Sequence, residues 1–150
     1  MKLYTPSRIS RRLGERSFFK AERDSSPKSA MARRPYPPGM HGKRSRRGLS
    51  DFGTSLQEKQ RIRYLYGLSD TVLKKYVHRA SRARTKTKAQ ALLELLECRL
   101  DNVVYRLGFA SSRRIARQMV SHGHVLLGQK SARSASTQVR PGDRITVREA

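Results

Sequence analysis

The sequence predicts an α+β fold: a basic extended N-terminal arm, a small helical domain, then a module of two helices and a small antiparallel sheet. Three observations carry that reading. Residues 1 to 48 are dominated by Ser, Arg, Pro and Gly and lack apolar periodicity. Apolar residues then recur three and four apart, as on one face of a helix, in stretches between Phe52 and Val120. After Gly123 the period shortens to two, with Val125 and Leu127 and then Ile145 and Val147.

These changes divide the chain into an irregular arm over 1–48, a helical domain with a basic linker over 49–88, and the helix-sheet module over 89–150. In the arm, Arg33-Arg34-Pro35-Tyr36-Pro37-Pro38-Gly39-Met40-His41-Gly42 excludes helix and central strand, because proline removes donors and restricts the residue before it. The arm offers too little apolar area to offset the entropy of ordering, so it is disordered alone or ordered by a partner. Its aromatic pair, Phe18 and Phe19, is expected to pack on the protein body rather than stack on bases.

A first helix is expected from about Leu49, capped by Ser50 or Asp51, with Phe52, Leu56, Ile62 and Leu65 on its buried face and Lys59 and Arg63 outside. It stops at Tyr64-Leu65-Tyr66-Gly67. Ser69 caps a second helix bearing Val72, Leu73, Tyr76, Val77 and Ala80. One long helix is expected from Ala89 to Leu107, on the spacing of Leu92, Leu96, Leu100, Val103 and Leu107, with Cys98 a small buried residue beside the stripe. Gly108 ends it, Ser111 or Ser112 caps the next, and Ile115, Ala116, Met119 and Val120 form that helix's core face before Gly123. Gly128 and the Arg140-Pro141-Gly142-Asp143 sequence supply turns between strands.

Thirty-four Lys and Arg against eleven Asp and Glu give a formal net charge of +23. The arm holds fourteen basic and three acidic residues, the middle segment ten and three, the last ten and five. A folded monomer with this charge repels itself unless a polyanion shares the surface. Cys98 is the only cysteine, which excludes an intramolecular disulfide and fits a reducing cytosolic compartment. No apolar run is long enough for a membrane span, and the N-terminus lacks the apolar stretch of a signal peptide; a basic transit peptide stays open. No spaced set of acids, nucleophile with base, or phosphate-cradling glycine loop is present, so no enzyme is expected.

Arg113, Arg114 and Arg117 are predicted to share the helix face opposite Ile115, Met119 and Val120, where guanidinium forks would meet phosphate oxygens; the bland alternative is a solvated surface. His122 and His124 bracket Gly123 and suit phosphate or base edges. A metal there would need further ligands, which the sequence does not offer. In the arm, Arg33 and Arg34 precede Tyr36, a stacking candidate, while His41, Lys43 and Arg44 add donors on a glycine-flexible backbone. That combination suits irregular or junction RNA better than a regular duplex.

Four ordered stretches carry a resemblance: ARRPYPPGMHGKR (Ala32 to Arg44), LQEKQRIRYLYG (Leu56 to Gly67), ECRLDNVVYRLGFASSRRIARQMVSHGHV (Glu97 to Val125) and VRPGDRITV (Val139 to Val147). Together they are similar to the bacterial-type small-subunit ribosomal protein four family. The resemblance implies a structural component that binds small-subunit ribosomal RNA early in assembly, near a multi-helix junction. It further implies a place beside ribosomal protein five, lining the side where the messenger enters, in a cytoplasmic or organellar ribosome. The last segment looks like the small RNA-binding module also attached to pseudouridine synthases and tyrosyl-tRNA synthetases; by motif position its RNA-facing residues are Arg113, Arg114 and Arg117, followed by His122 and His124.

The chain departs from that family pattern in three places. Four zinc-binding cysteines of many relatives fall on Ser7, Ser10, Asp24 and Ser29, and neutral hydroxyls are poor zinc ligands, so neither zinc nor another cofactor is expected. Leu127-Gly128-Gln129 replaces a Val-Asn-Gly turn, which opens the question of hairpin register. Relatives commonly run on into a C-terminal extension that packs on the first domain. The rival functions are a stand-alone RNA-binding regulator or assembly factor using the same module, and a DNA-binding structural protein.

Overall fold

A computed structural model describes residues 6–15, 25–43, 48–84 and 86–148. The chain divides into two compact units, Met1–Leu68 and Ser69–Ala150.

In the first unit, helix α1 spans Pro6–Leu13 and α2 spans Ala30–Arg33, both within the stretch expected to be irregular. Their signals are nevertheless local. Proline at the first helical position needs no donor, and Gly14 with φ 73° takes the left-handed conformation that ends α1, where the Glu15 amide donates to the Ser10 carbonyl at 3.2 Å. Ile9 and Leu13, one turn apart, are buried against Tyr64. The Ser29 hydroxyl caps α2 by accepting from the Met31 amide, and α2 packs on α1. Phe18, Phe19 and Asp24 lie outside the described residues.

Helix α3 spans Asp51–Leu65 and is capped by Ser50, whose hydroxyl accepts from the Gly53 amide at 3.2 Å. None of its residues is buried, and Phe52 is 78% exposed. The expected apolar face through Phe52, Leu56 and Leu65 is therefore uncovered. α3 meets α1 through Tyr64 instead, and burial resumes beyond its end at Tyr66 and Leu68.

In the second unit, α4 (Asp70–Ser81) is capped by Ser69 and buries Leu73, Tyr76 and Ala80. It packs on α5 (Lys88–Glu97), which opens with a reciprocal cap between Thr87 and Gln90. Helix α6 spans Leu100–Arg106. The single helix expected from Ala89 to Leu107 is thus two. The break has a partner: the Cys98 carbonyl accepts from the Val139 amide at 2.8 Å and the Leu100 amide donates to the Thr137 carbonyl at 2.9 Å, so Arg99 is drawn into extended backbone beside Gln138. Apolar spacing continues across the break because both helices bury the same side, through Leu96, Leu100 and Val104.

Helix α7 (Arg113–Ser121) is capped by Ser112 and closes at Gly123, φ 80°. There the His124 and Gly123 amides bond back to Met119 and Val120. Strands β1 (Val125–Leu127), β2 (Lys130–Ser131) and β3 (Ile145–Val147) form an antiparallel sheet in the order β2-β1-β3. The hairpin register is settled by the pairing of Leu127 with Lys130, which leaves Gly128 and Gln129 as a two-residue turn. Gly128, φ 64°, holds the first turn position, where the mirror-image turns of hairpins require a positive φ. Leu100, Val104, Ala110, Ala116, Val120 and Val125 make the core on which helix and sheet are mounted.

Candidate nucleic-acid interface

The positive end of α7 is the centre of this surface. Its first turn contains no acid, and Arg113 and Arg114 add their charges to the exposed amide dipoles there. Ala116 and Val120 face the core, whereas Ile115 is 44% exposed. The expected division of the helix is corrected accordingly. Arg113 and Arg117 flank the buried side rather than oppose it, and Ile115 shares the outer side with Arg114.

That placement obliges Arg113 and Arg117 to find partners within the protein. Arg117 Nε and Nη2 both donate to Asp101 Oδ2, at 2.8 and 2.6 Å. Arg113 Nε donates to Asn102 Oδ1 at 2.7 Å, with its guanidinium 4.5 Å from the centre of the Tyr105 ring. Asn102 in turn donates to Glu97, whose carboxylate also receives Arg106. Arg114 is exposed and has no hydrogen-bond or ionic partner among the described residues.

Beneath them lies an ionic node that the sequence reading missed. Asp101 is buried and accepts a two-pronged interaction from buried Arg99: Nε to Oδ1 at 3.0 Å and Nη2 to Oδ2 at 2.9 Å. Arg99 Nη1 donates to the Tyr76 hydroxyl at 2.7 Å. Burial alone would push the Arg99 pKa down; the hydrogen bond and charge of Asp101, with Tyr76, outweigh it and hold the pKa above the ordinary arginine value. Arg99 therefore stays charged at any physiological pH. One carboxylate between two guanidinium groups leaves a cationic surplus that surfaces through Arg117. The available signal was Asp101-Asn102 interrupting an apolar helix: two polar residues in a buried stripe require partners.

At the exit of α7, His122 and His124 are exposed, with ring centres 6.1 Å apart. Gly123 between them is buried under the Arg133 side chain, and its carbonyl accepts from the Ser131 hydroxyl at 3.1 Å. The Arg148 amide donates to the His124 carbonyl. The fold thus brings Arg133 and Arg148 to the two histidines, from positions that no local pattern joins.

In the first unit, the Arg33-to-Lys43 loop is organised by Arg11. Its Nε donates to the carbonyls of Arg34 and Tyr36 at 3.1 and 2.9 Å, and its Nη2 to Pro37 at 3.4 Å. A Cβ on buried Gly42 would stand 2.0 Å from the Pro37 carbonyl oxygen, so only glycine lets the loop fold back. The half-buried Tyr36 ring is contacted by two cations, Arg11 at 5.0 Å and Lys43 at 5.6 Å. Arg33, Arg34, His41 and Lys43 are exposed around it, and Arg44 lies outside the described residues. On α3, Lys59 is exposed, while Arg63 is engaged by Gln60, the Leu68 carbonyl and the Tyr64 ring.

Fold and charge together define a class: strongly cationic α+β proteins in which an arginine-bearing helix is mounted against a small antiparallel sheet. The chain belongs to the ribosomal protein S4 family: residues 2–97 match the Ribosomal protein S4/S9 N-terminal domain and residues 98–145 match the S4 domain. The junction of the two matches falls at the break between α5 and α6. It is 49% identical over 142 residues to small ribosomal subunit protein uS4 of Thermus thermophilus, covering 95% of this chain and 68% of that protein. The uS4 of Kosmotoga olearia is 46% identical over 142 residues, covering 95% and 67%. The uS4A of Clostridium novyi is 49% identical over 142 residues, covering 95% and 68%.

Proposed function

We infer that the chain is a structural component of the ribosomal small subunit that binds small-subunit ribosomal RNA, supports its assembly and helps form the side where the messenger enters. The observation that carries this is the pair of family matches running from residue 2 to residue 145, on a chain of formal charge +23. A stand-alone regulator built on the helix-sheet module would have no need of the matched N-terminal domain, and nothing favours that reading.

The RNA contacts follow from exposure and charge. Arg114, His122 and His124 reach outward with Arg133, and Arg113 and Arg117 stand beside them, engaged by Asn102 and Asp101. In the first segment, Arg33, Arg34, Tyr36, His41, Lys43 and Arg44 form the second contact, with Lys59 and Arg63 beside it. The arm over 1–48, the helices over 49–88 and the module over 89–150 contribute as successive segments. Ribosomal protein five is the expected neighbour, in a ribosome of the cytoplasm. The role is non-catalytic. Zinc is not expected, since the hydroxyls of Ser7, Ser10 and Ser29 are poor ligands.

Tagged full-length chain, expressed in cells and fractionated on a gradient, is expected to co-sediment stoichiometrically with small subunits. Recovery only in fractions free of subunits would overturn the reading.

A further inference from the structure

Helices α1 and α2 border an open cavity of about 230 Å³ lined by Ser7, Arg8, Arg11, Lys28, Arg33 and Arg34, with Ala30. Among the described residues no acid lines it. Arg11 is committed to the carbonyls of the loop. The other four cations are exposed, and none of their side chains has a hydrogen-bond or ionic partner among the described residues. This differs from the second unit, where the buried cation Arg99 is matched by a carboxylate. Four charges without an acidic partner among the described residues converge on one concavity and repel one another, and a concave surface also concentrates their field. Two neighbouring structural features hold the wall in shape. Ser10 and Ser29, buried in α1 and at the cap of α2, give close helix contact, and Arg11 ties α1 to the loop.

We propose that this cavity is a phosphate-binding site, which takes backbone phosphate groups of the bound RNA between α1 and α2. Arg8 and Arg33 supply planar donor forks, Lys28 a point charge, and the Ser7 hydroxyl a neutral donor. The proposal rests on the RNA-binding reading and deepens it. It assigns a specific anion site to Ser7, Arg8 and Lys28, which lie outside the loop and helix faces already described. Phosphate in the cavity would also bridge the two short helices, so occupancy and local order should rise together.

Inorganic pyrophosphate is the probe, titrated into the full-length chain while backbone amide signals are followed by NMR. Saturable shifts are expected at α1 and at Ala30 to Arg34. The apparent affinity should fall about tenfold or more in Lys28→Ala/Arg33→Ala, because each removes a charge-assisted contact. A control pair of equal charge change, Lys74→Ala/Lys75→Ala on the exposed side of α4, should leave affinity within about twofold. Both pairs alter exposed side chains, and circular dichroism verifies that each stays folded. Equal losses in the two pairs, or shifts that never saturate, would overturn the site while leaving general RNA binding intact. Adding a folded small-subunit RNA fragment should displace pyrophosphate from these amides. Failure of RNA that does bind elsewhere on the chain to displace it would mark a free-phosphate site and overturn the assignment to RNA.

Discussion

Arginine is used in two ways in the two units. In the second, Arg99, Arg113 and Arg117 are fastened to Asp101 and Asn102, and their charge is largely spent on holding α6 to α7. In the first, Arg8, Arg33, Arg34 and Lys28 line a concavity with no acidic neighbour among the described residues. Burial makes the difference. A desolvated guanidinium without a carboxylate is strongly destabilising, whereas an exposed one remains hydrated and available. Counting positive residues therefore overstates the free charge of α7, where Arg114 alone of the three arginines points outward without a protein partner among the described residues.

The sharpest way to break this comparison is to remove the carboxylate. Asp101→Ala leaves Arg99 buried and unpaired and should destabilise the chain by about 3–5 kcal/mol in chemical denaturation. A change below about 1 kcal/mol would mean that the node is not what fastens α6 to α7. In the first unit the corresponding constraint is steric. Gly42→Ala places a methyl group against the Pro37 carbonyl and should cost about 1–3 kcal/mol, read as faster amide exchange confined to the loop.

Smaller effects separate fastening arginines from free ones. Arg117→Ala should lower stability by roughly 1 kcal/mol, since Arg99 still pairs with Asp101 and Arg117 is partly exposed. Arg114→Ala should leave stability within about 0.5 kcal/mol and reduce the salt dependence of RNA binding by slightly less than one unit in the logarithmic slope. The reverse ranking would exchange their roles. Phe52→Ser, on the uncovered side of α3, is expected to change stability of the isolated chain by less than about 0.5 kcal/mol, measured by the same denaturation.

Much of the second unit was legible because its signals are local. Ser69, Ser112, Gly108, Gly123 and the turn glycines act through their own backbone, and they end or begin elements where the sequence places them. The split at Cys98 and Arg99 was not legible, because it depends on hydrogen bonds to residues 137–139, nearly forty positions away, while the apolar spacing runs through unbroken. α1 was overlooked although Pro6, Ile9, Leu13 and Gly14 spell a short helix, since the surrounding arginines and serines dilute the pattern. For the proposed RNA surface, the candidate cations were legible but their engagement was not. Which arginines are spent depends on Asp101 and Asn102, whose partners come from α5, from α7 and from Arg99 in the link between α5 and α6.

On the proposed role, this charge is arranged for irregular ribosomal RNA rather than for any polyanion. The decisive comparison is binding of the full chain to a folded small-subunit RNA junction and to duplex DNA of equal charge, across a series of salt concentrations. The RNA junction should bind more tightly at every concentration, with the advantage persisting at high salt where screened, nonspecific attraction has faded. Equal affinities throughout the series would contradict it.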